Sequence, residues 1–95
     1  MRKHTSIYLK ALKYDISEPF IPSELSGSKA VDLHHIVNRE NRIENLMALT
    51  RQEHIDHGEI KSSMKYLLIN HKNFLDLNNV KYDVNWFNKY LEIYE

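Results

Sequence analysis

Residues 29–58 read KAVDLHHIVNRENRIENLMALTRQEHIDHG, and this stretch decides the fold. From Lys29 to Ile36 apolar and polar side chains alternate, with Val31 and Leu33 opposed to Asp32 and His34, which is the two-residue period of a strand. A short polar segment follows, rich in asparagine, a residue that tolerates turn geometry. Asn45 to Leu49 is then an apolar run of strand length. Two short strands joined in this way predict a β-hairpin. Thr50 and Glu53 stand at the spacing of a capping box, so a helix is expected to start beyond Thr50 and to carry His54 and His57 in its first turns. Gly58 kinks or stops it.

Working outward, Ile7, Ala11 and Tyr14, with Tyr8 and Leu12, recur at helical spacings and predict a short helix over 6–14. Ser17 to Ser28 holds both prolines and one of the two glycines, so it reads as loop. Pro19 and Pro22 bracket Phe20 and Ile21, which are expected to pack. On the other side, Ile60, Met64, Leu67, Leu68, His71 and Leu75 form a second helical pattern. Asn78-Asn79 breaks it, and residues 84–94 predict a terminal helix burying Trp86, Tyr90 and Ile93. The order helix, loop, strand, strand, helix, helix, helix gives an α+β domain over 1–95, with a core unit at about 30–58 and a helical extension at about 60–95.

A chain of 95 residues buries only about 60–65% of its unfolded surface, so its core is modest. It contains no cysteine, which excludes disulfides and thiolate zinc sites. The opening MRKHTSIYLKALKY is too broken by lysine and tyrosine to be the apolar core of a signal peptide. No run approaches the roughly 18–20 apolar residues that span a bilayer. A cytosolic protein is expected. Thirteen basic and thirteen acidic residues cancel, which counts against simple nucleic-acid binding. Even so, Arg2, Lys3, Lys10 and Lys13 meet no acid before Asp15. Six histidines are present, and four of them fall between His34 and His57.

That clustering carries the chemistry. His34 and His35 close one predicted strand, Asn45 opens the next, and His54 lies on the following helix. Two imidazoles from separate elements can meet at one point, and neutral imidazole is a good ligand for divalent transition metals and zinc. A neighbouring histidine that does not ligate can act as general base. Elsewhere the plain readings prevail. His71 on an apolar helix face is a satisfied core or interface residue. Trp86, Phe87 and Tyr90 at helical spacing are core rather than base-stacking groups, and His4 is assigned nothing.

At these residues the chain resembles the HNH endonuclease family of ββα-metal nucleases. VDLHHI is similar to the family's first motif, IENLMAL to its second and TRQEHIDHG to its third. The resemblance covers Ala30 to about Gly58. It implies His34 and His54 as metal ligands, His35 as the base that deprotonates the attacking water, and Asn45 as the residue that holds the hairpin and the base in place. The third ligand stays open between His57, one residue short of the family's usual i+4 position, and Asp32, which shares a strand face with His34 and can instead orient a histidine from behind. Arg39, Arg42 and Arg51 are candidates for DNA phosphates.

The implied activity is hydrolysis of DNA, double-stranded by expectation, with one divalent cation (Mg2+, Mn2+, Ni2+ or Zn2+). The implied setting is a phage, a mobile element or a bacterial cell, alone or within a larger phage or nuclease complex. Many relatives carry two Cys-x-x-Cys pairs for a structural zinc. Here Ser23-Glu24-Leu25-Ser26-Gly27 takes the place of the first, and Thr50 and Glu53 stand where the second would be, so no structural zinc is expected. The alternative reading is an HNH scaffold with weak catalysis that serves as a nucleic-acid-binding or partner-dependent module.

Overall fold

In a computed structural model of the chain, residues 2–15, 17, 20–58 and 60–94 are described. Pro19 lies outside them. The elements are α1 (Lys3–Leu12), β1 (Asp32–His35), β2 (Leu46–Leu49), α2 (Arg51–His57), α3 (Met64–Leu77) and α4 (Val84–Ile93), with short 3-10 turns at Ile43–Asn45 and Lys61–Ser63. This is a small α+β arrangement: four helices around one antiparallel hairpin, with Asp32 paired to Leu49, Leu33 to Ala48, His34 to Met47 and His35 to Leu46. Among the described residues no helix is long and apolar enough to cross a membrane.

β2 explains why the hairpin sits at the centre. All four of its residues are buried, because successive side chains leave a strand on opposite faces and both faces are covered. Met47 and Leu49 join Leu67, Leu68 and Leu75 of α3 and Trp86 and Phe87 of α4. Leu46 and Ala48 pack instead with Tyr8 of α1. An unbroken apolar run is what such a two-sided strand needs.

β1 is shorter than the sequence period predicts, and its buried face is the polar one. His34 is 6% exposed, whereas Val31 is 56% exposed. Opposed residues of an antiparallel pair project to the same side. Asp32 and His34 therefore share the face of Met47 and Leu49; α3 and α4 cover its β2 side, and His54 of α2 lies against Asp32 and His34. Leu33 and His35 share the face of Leu46 and Ala48, which α1 covers. The ladder hydrogen bonds run on past the strand, from Val31 N–H to Leu49 O (3.1 Å) and from Ile36 N–H to Asn45 O (2.9 Å).

The helix ends have local causes. The Thr50 side chain accepts from Glu53 N–H while the Glu53 carboxylate accepts from Thr50 N–H (2.8 Å), completing the capping box. The same carboxylate also takes the Ser23 hydroxyl, which ties the 20–28 loop to the start of α2. Thr50→Ala removes one half of the box and should cost about 1 kcal/mol. In a domain of this size that lowers the melting temperature by about 4–8 °C, readable by thermal denaturation.

α1 begins three residues earlier than its apolar pattern suggests and stops at Leu12, because Lys13 turns to φ 60° and donates back to Lys10 O. Asn79, at φ 56°, breaks the chain after α3, and Asp83 caps α4 by accepting from Asn85 N–H and Trp86 N–H. Two packing expectations fail. Ile93 is 60% exposed rather than buried, and Phe20 is 46% exposed. Phe87, fully buried, takes the place expected for Ile93.

Candidate functional site

The strand pair brings His34 on β1 and His54 on α2 together, with ring centroids 4.7 Å apart. His54 is positioned from behind: its Nδ1 lies 3.1 Å from Asp32 Oδ2. A carboxylate can only accept, so Nδ1 carries a proton, which leaves Nε2 as the ring nitrogen able to offer a lone pair. Burial alone would raise the Asp32 carboxyl, but its hydrogen bonds to Arg51 and His54 hold it below the ordinary carboxylate value. Of the two places left open for Asp32, ligand or orienting group, its contacts are with His54 and Arg51, the geometry an orienting group would have.

His34 is the unusual member. Its Nε2 is buried and has no hydrogen-bond partner among the described residues, although buried polar atoms are nearly always paired. Burial first, then the neighbouring His54, pushes its pKa down to about 4, against a contribution from the Gly58 main chain that favours the charged form. His34 is thus a neutral imidazole whose ring lies beside that of His54, and these two rings are the groups that could hold a metal ion.

His57 does not join it. Its Nδ1 is 3.1 Å from Ser63 Oγ and its ring lies against Tyr66 at 5.4 Å. The position one full turn beyond His54 is Gly58, which closes α2 by donating to His54 O (2.8 Å). Its lack of a side chain matters here. A β-carbon at Gly58 would stand 3.1 Å from His54 Nε2, 2.5 Å from His54 O and closer still to His54 Cδ2. Among the described residues no group of three or more histidine, cysteine or acidic side chains is placed to hold a metal ion. The geometry offers two imidazoles and leaves the remaining coordination positions open.

His35 points to the other face of β1. Its Nε2 is 2.9 Å from Asn41 Oδ1. An amide oxygen only accepts, so Nε2 donates and Nδ1 is the basic nitrogen. Asn41 is placed by the loop that Asn45 pins. Asn45 is fully buried; its Oδ1 accepts from Val37 N–H (2.9 Å), and its Nδ2 donates to Asn38 O (2.9 Å) and to Glu40 O (3.0 Å). One amide thus satisfies three main-chain groups of a loop that has no regular structure of its own. From the far side, Tyr90 of α4 meets Asn38 Nδ2 at 3.0 Å.

A cavity of about 540 Å3 gathers His34, His35, His54, Asn41 and Gly58, with Arg39 among its lining residues. Arg39 is exposed and makes no hydrogen bond or ion pair among the described residues. Arg42 differs, because Glu44, Glu40 and Asp83 surround its guanidinium, and Glu44 first, then Glu40, hold its pKa up. Arg51 is bound to Asp32 at 2.9 Å while most of its side chain stays exposed. Of the three arginines singled out by sequence position, one is free at the cleft, one is bound to the residue behind His54, and one is taken up by carboxylates.

Three contributors escaped the sequence reading. Asn41 lies in a polar loop with nothing to single it out. Gly58 reads only as a helix stop. His4, set aside as a terminal residue, comes to within 5.2 Å of the His35 ring. Burial, then His35, then Arg2 lower its pKa. His71, by contrast, is the satisfied core histidine its apolar face indicates. No family model, curated protein or solved structure matches the chain, so the meaning of the site rests on the chemistry of these residues.

Proposed function

We propose that the chain is a metal-dependent nuclease of the HNH type, hydrolysing phosphodiester bonds of DNA at the His34–His35–His54 cleft. The observation that carries this reading is the buried, unpartnered Nε2 of His34 set against the ring of His54. Leaving a polar atom buried without a partner costs about 1–3 kcal/mol, and a divalent cation bound by both imidazoles would remove that cost. The donor set fits such an ion: His34 and His54 can each offer Nε2, and Asp32 holds the Nδ1 proton of the second.

When bound, a divalent cation there supplies positive charge that offsets the charge growing on the phosphate and the leaving 3′ oxygen. The protein's own groups do the rest. His35 Nδ1 takes the proton of a water whose oxygen attacks phosphorus. The bond to the 3′ oxygen breaks, leaving a 5′ phosphate and a 3′ hydroxyl protonated from solvent. Asn41 keeps the His35 ring in the right tautomer, and Asn45 keeps Asn41 in reach. Arg39 at the cleft is free to hold a neighbouring phosphate.

The test is nicking of supercoiled plasmid with Mg2+, Mn2+, Ni2+ or Zn2+ in turn, alongside calorimetry of metal binding. Wild type is expected to bind the ion and nick; His34→Ala and His54→Ala should lose both. A filled metal site with no cleavage under any ion would sink the enzyme reading and leave a nucleic-acid-binding module. A narrower check uses Gly58→Ala, whose β-carbon would collide with both the His54 ring and the His54 main-chain oxygen, so the ring and the end of α2 must shift. Metal affinity should fall by about 10–100-fold, and thermal denaturation reports separately what the shift costs the fold. Unchanged calorimetry would mean that His54 is not a ligand.

A further inference from the structure

Beside the cavity that holds the three histidines lies a second of about 460 Å3, and the two share the lining residues Leu33 and His54. The second is walled by Arg2, His4 and Thr5 at the start of α1, above a floor that includes Ala30, Leu33 and Ala48. Among the described residues none of those three side chains has a hydrogen-bond or ion-pair partner. The carboxylate lining this cavity, Asp32, is already engaged by Arg51 and His54. A guanidinium, an imidazole and a hydroxyl therefore face the same space with no acceptor, and the His4 ring lies 5.2 Å from His35. Unmatched donors above an apolar floor suit an anionic oxygen ligand whose remainder is a sugar face.

We propose that His4, with Arg2, binds the phosphodiester adjacent to the one that His35 attacks, making the first turn of α1 a phosphate subsite of the cleft. The subsite rests on the nuclease reading for its role, but its binding can be tested without metal or cleavage. His4 acts as an N–H donor and Arg2 as the charged partner, so the pair positions the strand and carries no sequence preference. A substrate in the cleft then spans from Arg39 past the histidines to Arg2.

Three measurements decide it. The first is fluorescence anisotropy of a short labelled DNA duplex in EDTA with wild type, His4→Ala, Arg2→Ala/His4→Ala and, as a distant control, Lys65→Ala. The double variant should weaken binding by about tenfold and flatten the salt dependence by roughly one phosphate contact, and the control should stay within about twofold. The second is NMR of the histidine side chains during titration with thymidine 3′,5′-bisphosphate and with inorganic phosphate. The His4 resonances are expected to move with the bisphosphate. In nicking assays, His4→Ala should raise KM at unchanged kcat, the signature of lost uniform binding. Double-variant affinity within about twofold of wild type, or His4 resonances that ignore the bisphosphate, would overturn the subsite. Weakened DNA binding by the double variant in a protein that shows no nicking under any of the four ions would leave the subsite standing and remove the nuclease.

Discussion

Replacing His71 with leucine should destabilise the domain by about 3–5 kcal/mol, a large part of the total stability of a chain this short. The ring of His71 is fully buried on α3. Its Nδ1 meets Glu24 Oε1 at 2.6 Å and its Nε2 meets Ile43 O at 2.6 Å. Both partners are acceptors, so both ring nitrogens carry protons and the group is an imidazolium. The Tyr8 hydroxyl donates to the other oxygen of Glu24, which completes a chain of buried polar groups joining α1, the 20–28 loop, the hairpin and α3. Leucine fills the volume but strands the Glu24 carboxylate without its cation. Urea denaturation measures the loss. Glu24→Gln in the same chain should return part of it, because no charge is then left buried. A loss under about 1 kcal/mol would show the pair to be dispensable.

The same pair sets a pH dependence. Burial alone pushes the His71 pKa down, but the Glu24 charge, the hydrogen bond to it, the Ile43 carbonyl and Glu44 outweigh burial and hold it above the ordinary value. A raised histidine pKa favours folding most fully below its unfolded value, about 6.5, and that contribution fades as pH rises through the folded value. Wild-type stability should therefore decline as pH climbs from about 6.5, more steeply than that of the Glu24→Gln/His71→Leu chain. Parallel curves would mean that the ring is neutral in the fold.

His35→Ala is the second large effect. At matched metal loading it should lower the nicking rate by about 10²–10⁴-fold while metal affinity stays put, because His35 faces Asn41 and His4 rather than the His34–His54 pair. Equal loss of metal binding would make His35 a ligand and demand a different base. Full activity would remove it from the chemistry.

The sequence alone determined the elements and their order. Period-two alternation, an apolar run of strand length, a capping box and two helical patterns are local signals, and each arises from the geometry of one element. It also brought out the histidines worth asking about, because imidazoles are scarce and four of them crowd one stretch. Two things were decided only by tertiary structure. One is which face of each strand is covered: alternation separates the faces of β1 but does not say that α2 covers Asp32 and His34, nor that α1 brings His4 to His35. The other is which of several eligible groups meet. His57 and His54 lie three residues apart on one helix, yet the turn at Lys61–Ser63 gives His57 a partner in Ser63, while Gly58 leaves room for the His54 ring. Such choices follow from how elements pack across long separations in the chain, and no local period of the sequence encodes them.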